Sequence, residues 1–309
     1  MRLVTYSGPL GAARTGVRVG HRILDIETAS RVKGEPLPSS MRALLQGGRG
    51  ALSRVQALVR AAQSGGSGGM GVAMFEEKAV RLLPPVPDPD KFLCVGKNYR
   101  AHLEELKKHD LIKEMPEEVT GFVKVTSSLV GHDARVAKPA LVERLDYEPE
   151  LVFVIGRRAL GVKASDEDAM DYAVGVTLLN DLTDRDMQKR EVASGSRFWT
   201  SKNAPGFGPI GPEIVTMDEI EDPYDLWITC TVNGEERMRV NTRDQIWKLP
   251  QILEHFSRTI PLEPGDMFST GAPGGVAVGK PDAESLYLKP GDVVECAIEG
   301  ITTLRTTII

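Results

Sequence analysis

The 309-residue sequence has no excess of basic residues: 38 Lys and Arg oppose 43 Asp and Glu, which gives a formal net charge of −5. It also lacks a basic stripe with interleaved aromatic residues, the pattern that attracts proteins to phosphate backbones. We therefore expect no nucleic-acid partner. The mildly acidic balance favours a small ligand that is neutral or chelates a metal.

Long apolar runs are missing as well. No window approaches the ~20 apolar residues of a membrane span, and the opening stretch MRLVTYSGPLGAARTG lacks the apolar segment of a signal peptide. The sequence thus predicts no membrane association and a cytoplasmic location. With 41% hydrophobic and 26% charged residues, it is typical of a globular protein with a sizeable core.

Cysteine is scarce. Cys94, Cys230 and Cys296 lie in separate apolar, strand-like runs, and no two of them have CxxC spacing. This distribution predicts buried, reduced thiols rather than a metal or redox site.

Several common catalytic motifs are absent or incomplete. The sequence contains no GxSxG and no HExxH, which disfavours a serine hydrolase or a zinc protease. GFGPIG at 206–211 fits GxGxxG, but Pro209 and Pro212 interrupt the helix that a dinucleotide site requires. GGVAVGK at 274–280 resembles a P-loop, yet Pro281 replaces the Ser or Thr that would bind magnesium. Neither motif predicts a nucleotide site.

Composition divides the chain into a small N-terminal α+β domain, 1–83, and a larger domain, 84–309. Residues 2–26 alternate strand-like pieces with Gly turns, and residues 41–59 show a helical pattern with one buried face. The stretch SGGSGGMG, 64–71, is too poor in side chains to pack and predicts a flexible connector.

Beyond residue 90, β-branched runs separated by Gly and Pro predict many strands and few helices. The candidate strands are 91–95, 121–125, 148–156, 172–179, 226–233, 266–269 and 292–298, and the candidate helices are 99–109, 182–192 and 246–258. This proportion argues against a doubly wound sheet or a (β/α)8 barrel. It favours an α+β fold that is predominantly β.

The segment LDYEPELVFVIG brings two acidic residues to the start of a strand. Glu148 and Glu150 share one strand face, with Cα atoms ~6.6 Å apart, and Pro149 between them suits an edge or the first residues of a strand. Asp181 follows another apolar strand. These residues could be solvated charges and a helix N-cap. Alternatively, the three carboxylates converge on one hard divalent cation, which would offset their repulsion; without the metal, at least one of them should have a raised pKa.

Two further segments supply a candidate base and a candidate cation. In VGKNYRAHLEEL, His102 and Glu105 are three residues apart on a predicted helix, so the carboxylate could orient the imidazole and raise its basicity. Lys202 lies among aromatic and turn residues in RFWTSKNAPGFG, where its charge could stabilise an enolate. A packing histidine and a solvated loop lysine are the alternatives.

Taken in order, six segments resemble the fumarylacetoacetate hydrolase family. They are VGKNYRAHLEE, DYEPELVFVIG, NDLTDRDMQ, FWTSKNAPGFGPIGP, VNGE with a following NT, and LEPGDMFSTGAPGGV. The resemblance covers roughly residues 91–309, and the N-terminal portion resembles the small domain that often precedes that region. It implies a mixed β-sheet rolled into a barrel-like shape with peripheral helices, and a homodimer.

The resemblance also implies roles for individual residues. It assigns Mg²⁺ or Mn²⁺ to the carboxylates of Glu148, Glu150 and Asp181. His102 and Glu105 would form a water-activating dyad on a mobile lid.

The remaining implied roles concern the substrate. Lys202 would stabilise the substrate's oxyanion. A carboxylate or carbonyl of the substrate would be contacted by Arg185, Gln188, Lys124 and Thr270. Ala272 stands where the family's TGTP turn usually has Thr, and the lid segment LKKHDLIKEMPEEVTG is longer than in the shortest members. Both departures affect the identity of the substrate.

The expected activity is metal-dependent hydrolysis of a carbon–carbon bond in a 2,4-dioxo acid such as an acylpyruvate, which yields pyruvate and a second acid. The same enolate chemistry serves an oxaloacetate-type decarboxylase and a 2-hydroxymuconate-type isomerase or dehydratase, and the sequence does not separate these alternatives. A binding protein with a structural ion is a further interpretation, although such an ion would not require a base.

Overall fold

The computed structural model describes residues 1–8, 11–64, 70–108, 117–196 and 198–309, which contain nineteen strands and seven α-helices. The strands are β1 (Arg2–Ser7), β2 (Ala13–Val19), β3 (Arg22–Asp25), β4 (Met74–Glu76), β5 (Arg81–Leu82), β6 (Phe92–Gly96), β7 (Thr120–Val123), β8 (Leu129–Val130), β9 (Ala134–Val136), β10 (Leu145–Asp146), β11 (Pro149–Ile155), β12 (Ala173–Asn180), β13 (Thr183–Asp184), β14 (Gly208–Thr216), β15 (Trp227–Val232), β16 (Glu235–Asn241), β17 (Met267–Ser269), β18 (Val293–Ile298) and β19 (Thr302–Ile308). The helices are α1 (Ile26–Val32), α2 (Met41–Gln46), α3 (Gly48–Gln63), α4 (Arg100–Lys108), α5 (Arg185–Ala193), α6 (Leu249–Ser257) and α7 (Ala283–Leu286).

A mixed twelve-stranded sheet forms the centre of the structure. Its main path runs β4-β3-β2-β1-β14-β12-β11-β17-β6-β7, with β5 beside β1 and β8 beside β14. Most neighbours are antiparallel, but β6 is parallel to β17 and β8 is parallel to β14. Within the described residues the path has two open ends, at β4 and β7, so the sheet does not close into a barrel. The prediction of an α+β, mostly β fold is confirmed.

A second sheet packs against the first. Its five strands follow the order β16-β15-β18-β19-β9, and a small ladder joins β10 to β13. Side chains from both sheets share one hydrophobic cluster, in which Phe153 of β11 and Ile228 of β15 are completely buried. This cluster therefore lies between the two sheets, and β11 and β12 contribute side chains to it. The predicted strands beyond residue 90 are all present, with ends shifted by at most two residues.

The helical pattern predicted for 41–59 is interrupted in the structure. Helix α2 ends at Gln46 and α3 begins at Gly48, whose φ of 60° is a left-handed conformation that glycine adopts without steric cost. The buried face is as predicted, since Leu44, Leu45 and Val55 are all fully buried. Residues 65–69 of the predicted connector lie outside the described residues.

Other sequence predictions can also be compared with the fold. Cys94, Cys230 and Cys296 are buried and unbridged, as expected. The GFGPIG motif enters strand β14 rather than a helix, which agrees with its rejection as a nucleotide site. Among the described residues, no helix combines the length and hydropathy that crossing a membrane requires.

Candidate metal centre

Two neighbouring strands place three carboxylates at one end of the large sheet. Strand β11 begins at Pro149 and strand β12 ends at Asn180, and these two residues pair in the antiparallel ladder. Glu148 therefore immediately precedes one strand where Asp181 immediately follows the other, and the Asp181 N–H donates to the Glu148 carbonyl at 2.8 Å. The register of the two strands thus brings together residues that are far apart in sequence.

The acidic triad of Glu148, Glu150 and Asp181 is compact and buried. One carboxylate oxygen from each residue lies within 4.8 Å of those of the other two. The residues are 3%, 2% and 0% exposed, so they are not solvated charges. Nor does Asp181 cap the following helix, because Asp184 is the N-cap of α5.

The carboxylates of the triad repel one another, and their burial makes ionisation less favourable. Burial raises the pKa of Glu150 well above its ordinary value, and the neighbouring charge of Asp181 raises it further. The Ser269 hydroxyl donates a hydrogen bond to this carboxylate. The predicted rise in the pKa of at least one clustered carboxylate is confirmed.

Lys202 lies inside the cluster rather than in solvent. Its Nζ donates to Asp181 Oδ2 at 2.6 Å and to Glu148 Oε2 at 2.5 Å. Burial alone would lower the pKa of Lys202, but these carboxylates outweigh that effect and raise it, so the residue remains a cation. As the sequence suggested, aromatic residues surround it: the rings of Phe122 and Phe198 have centroids 5.4 and 6.0 Å from Nζ.

Helix α5 positions both Arg185 and the loop that carries Lys202. Arg185 Nη1 lies 2.6 Å from Glu148 Oε1 and 2.9 Å from Gln188 Oε1, while its Nε donates to Asp146 at 2.8 Å. At the other end of the helix, the Glu191 carboxylate accepts hydrogen bonds from the Thr200 N–H and the Ser201 hydroxyl, both at 2.5 Å. One helix thus links the predicted metal ligands to the lysine loop.

The other two predicted substrate contacts lie near the triad. Lys124 is 1% exposed, and its Nζ is 2.6 Å from Asp181 Oδ1. Thr270 directly follows Ser269 and is fully buried. Its hydroxyl lies 3.4 Å from the Tyr99 hydroxyl.

Glu105 occupies the described part of the predicted lid helix, α4. Its Oε1 accepts a hydrogen bond from the Gly275 N–H at 2.8 Å. Its other oxygen faces Gly279, where an added Cβ would lie only 2.7 Å away. The helix therefore contacts the segment 275–279. The side chain of His102 and residues 109–116 of the lid lie outside the described part of the structure.

Sequence reasoning missed three supporting residues. Asp146 is fully buried, binds Arg185 and accepts hydrogen bonds from the Ala277 and Val278 N–H groups, both at 3.0 Å. Ser269 and Glu191 were also missed. The alternation of Asp146 with the two glutamates of DYEPE was a usable signal for the first, but the partners of Ser269 and Glu191 depend on tertiary contacts.

The donor set fits a hard divalent cation. Carboxylate oxygens are the ligands that Mg²⁺ prefers and that also suit Mn²⁺. Four carboxylates, from the triad and Asp146, face the three cations Lys124, Lys202 and Arg185. With all four carboxylates ionised, as metal binding requires, the cluster would carry a net charge of −1, which a divalent ion would change to +1. This charge would suit an anionic ligand.

Comparisons with known proteins agree with this chemistry. Residues 91–309 match the family described as fumarylacetoacetate (FAA) hydrolase C-terminal. The chain is 32% identical over 312 positions to the mitochondrial oxaloacetate tautomerase fahd2 of Xenopus laevis, covering 100% of this chain and 90% of the relative.

Two solved structures are also similar. One is a fumarylacetoacetate hydrolase from Exiguobacterium antarcticum, with 32% identity, a TM-score of 0.75 and coverage of 100% of this chain and 99% of that one. The other is maleylpyruvate hydrolase from Sphingobium sp. SYK-6 in complex with manganese(II) and pyruvate, with 27% identity, a TM-score of 0.75 and the same coverage. The chain belongs to the fumarylacetoacetate hydrolase family.

Proposed function

We propose that the protein is a divalent-metal-dependent enzyme that acts on a 2-oxo acid by way of its enolate, with hydrolysis of an acylpyruvate as its reaction. The observation that carries this proposal is the buried triad of Glu148, Glu150 and Asp181 with the Lys202 ammonium bound to two of its members. An ion-paired lysine among three acids, in a family of enzymes, suits stabilisation of a developing negative charge. A homodimer and a small keto-acid substrate are part of the same proposal.

The triad would hold Mg²⁺ or Mn²⁺, and the ion would supply a Lewis acid for the substrate's carboxylate and 2-oxo group. The side chains of Lys202 and Arg185 supply further positive charge to the site. Lys202 is within hydrogen-bond reach of two triad oxygens, so its charge lies where an enolate oxygen would develop. Arg185 forms ion pairs with Asp146 and Glu148 and donates a hydrogen bond to Gln188. It therefore adds positive charge next to Gln188.

In the hydrolytic reaction, His102, oriented by Glu105, takes a proton from the water that attacks the 4-carbonyl. The bond between carbons 3 and 4 then breaks, and its electron pair passes to the pyruvate fragment as an enolate near Lys202. Protonation at carbon 3 gives pyruvate, and the acyl fragment leaves as the second acid. The segment 275–279 would fix Glu105 for this step through the Gly275 N–H.

Oxaloacetate chemistry is the second candidate. The similarity to an oxaloacetate tautomerase over the full length of the chain favours it. Tautomerisation moves a proton between carbon and oxygen through the same enolate and needs no attacking water. Decarboxylation and isomerisation would also use the enolate, so Lys202 has the same role in every candidate reaction.

A substrate panel tests the proposal. Purified protein with Mn²⁺ or Mg²⁺ is given acylpyruvates, with pyruvate release as the measurement, and oxaloacetate, with enol absorbance and carbon dioxide as the measurements. We expect metal-dependent turnover of at least one substrate. Bound metal with no turnover across the panel would refute the enzyme proposal and support a binding protein.

Glu105→Gln tests the role of the proposed His102–Glu105 dyad in each reaction. If water attack is required, this change should lower kcat by about 10²–10⁴-fold, the usual contribution of general-base catalysis. Tautomerisation also transfers a proton, so enol absorbance with oxaloacetate is measured for the same variant, and an unchanged rate would show that the dyad is not its base. Glu104→Gln is the matched control, because Glu104 is exposed on the same helix.

A further inference from the structure

All three N–H donors of the Lys124 ammonium group bind acceptors within the protein. Nζ donates to Asp181 Oδ1 at 2.6 Å, to the Phe207 carbonyl at 2.8 Å and to the carbonyl of Lys202. An ammonium group has three donors, so none remains for a further ligand in this arrangement. The side chain is fully buried, and these contacts are therefore not exchanged with water.

The surrounding backbone is shaped to admit this side chain. Lys124 follows β7, and its own N–H donates to the Phe92 carbonyl at 2.9 Å. Its stem passes Gly208 so closely that a Cβ there would lie 3.0 Å from Lys124 Cε. Glycine at 208 leaves the space that the lysine stem occupies.

Lys202 differs from Lys124 in the nature of its partners. All three of its acceptors are side-chain oxygens, from Glu148, Asp181 and Thr183. Two of these belong to the triad, so a divalent cation would compete for them and release donors of Lys202 toward a substrate. Two of the three acceptors of Lys124 are backbone carbonyls, which a cation in the triad would not displace.

The two lysines bind opposite oxygens of one carboxylate. Lys124 holds Oδ1 of Asp181, which leaves Oδ2 facing Lys202 and Glu148. Lys124 also holds the main chain at Lys202 and at Phe207, and so fixes the loop that carries Lys202 at that residue and at its C-terminal end. The same ammonium group thus restrains one predicted metal ligand and one predicted catalytic residue.

We propose that Lys124 is a positioning residue, which orients Asp181 for the metal ion and anchors the Lys202 loop, and that it does not contact the substrate. This inference rests on the proposed function, because it assumes that the triad binds a divalent cation. It differs from the substrate contact that family resemblance implies for this residue. Substrate recognition would then depend on Arg185, Gln188 and Thr270.

Manganese titration separates the two roles without requiring turnover. Calorimetric Mn²⁺ binding is measured for the wild type, for Lys124→Met and for Lys163→Met, a control at an exposed lysine. Loss of a residue that orients a metal ligand should weaken Mn²⁺ binding about 10–100-fold. The control should bind as the wild type does.

Steady-state kinetics at saturating Mn²⁺ provide the second measurement. A positioning role predicts that Lys124→Met lowers kcat and changes KM by less than about threefold, because no substrate contact has been removed. A KM raised about tenfold or more, with Mn²⁺ affinity unchanged, would overturn the inference and leave the proposed function intact. A wild-type protein that binds no Mn²⁺ would overturn both.

Gly208→Ala tests the same claim without removing a charge. The added methyl group would lie 2.9 Å from Leu129 Cδ2 and 3.0 Å from Lys124 Cε, so it crowds the lysine stem, and Mn²⁺ affinity should fall even though the ammonium is retained. This variant keeps the inference testable if Lys124→Met does not fold. Unchanged Mn²⁺ affinity in a folded Gly208→Ala protein with a raised KM would contradict the positioning role.

Discussion

Glu150 is the member of the triad that is least compensated by the protein itself. Glu148 and Asp181 each form ion pairs with buried cations, whereas the described contacts of Glu150 include the Ser269 hydroxyl but no ion pair. A buried carboxylate that is not in an ion pair destabilises the folded state unless it takes up a proton or gains a metal. Stability and metal binding should therefore be coupled at this residue.

Replacing Glu150 by Gln should have opposite effects with and without metal. In the absence of metal, the free energy of unfolding should rise by on the order of 1 kcal/mol, because Gln avoids the cost of protonating or burying a carboxylate at this position. Stabilisation by Mn²⁺ should be lost, since one of three ligands is gone. Denaturant titrations with and without Mn²⁺ measure both effects, and Glu167→Gln, at an exposed site, is the control. Equal stabilisation of the variant and the wild type by Mn²⁺ would exclude Glu150 as a ligand.

The raised pKa of Glu150 also predicts how stability depends on pH. Between the unfolded value of 4.5 and the higher folded value, the folded state holds a proton that the unfolded state has released. The contribution of Glu150 to metal-free stability should therefore decrease as pH rises through this window. Mn²⁺ binding requires the carboxylate and should strengthen over the same window. Unfolding free energies at several pH values, with and without Mn²⁺, test whether metal-free stability falls while Mn²⁺ binding strengthens. A pH-independent effect of Mn²⁺ would refute this prediction.

At the scale of elements, helix α5 joins the two halves of the site. Its first turn carries Arg185 and Gln188, and Glu191 near its other end binds the loop before Lys202. The helix begins at a conventional cap: the Asp184 carboxylate accepts hydrogen bonds from the Asp186 and Met187 N–H groups at 3.0 and 3.1 Å. A change at the cap should therefore affect the site through the helix.

Asp184→Ala should lower the free energy of unfolding by about 1 kcal/mol, the usual effect of losing an N-cap side chain. It should also lower kcat by misplacing Arg185 and the Lys202 loop. Asp184→Asn retains an acceptor for the helix N–H groups and should recover most of both losses. Denaturant midpoints and kcat are the measurements. If Asn and Ala have the same effect, the cap does not account for the loss.

The sequence predicted those parts of the site that depend on local pattern. Glu148 and Glu150 were recognisable because a strand alternates its faces, and Asp181 because it ends an apolar run. Their convergence then follows from a single strand pair. The partners of Lys124 were not predictable, because Asp181 and Phe207 lie 57 and 83 residues away in sequence. Family resemblance supplied a role for Lys124, but only tertiary contacts reveal that its donors are already used.

At the scale of the whole molecule, the N-terminal segment extends the sheet of the larger region. Strand β1 pairs with β14, and Arg2 and Arg18 form ion pairs with Glu213, a fully buried residue of β14. The predicted boundary between 1–83 and 84–309 therefore crosses backbone pairing and partly buried ion pairs. Composition indicated a change in secondary-structure content at this boundary. It did not indicate which strands would pair across it.

A fragment that begins at residue 84 tests whether the larger region is stable without the N-terminal segment. A fragment of residues 84–309 would lack β1 and both cations that neutralise Glu213, so β14 would expose an unpaired edge, a feature that promotes aggregation. We expect the fragment to unfold at a lower denaturant concentration than the full chain and to associate at higher protein concentration. Arg18→Gln in the full chain removes the ion pairs with Glu213 and Glu77 and leaves the strand pairing, so its stability should lie between the two. Light scattering and denaturant midpoints measure these effects. A fragment as stable and as monodisperse as the full chain would show instead that 84–309 is an independent domain.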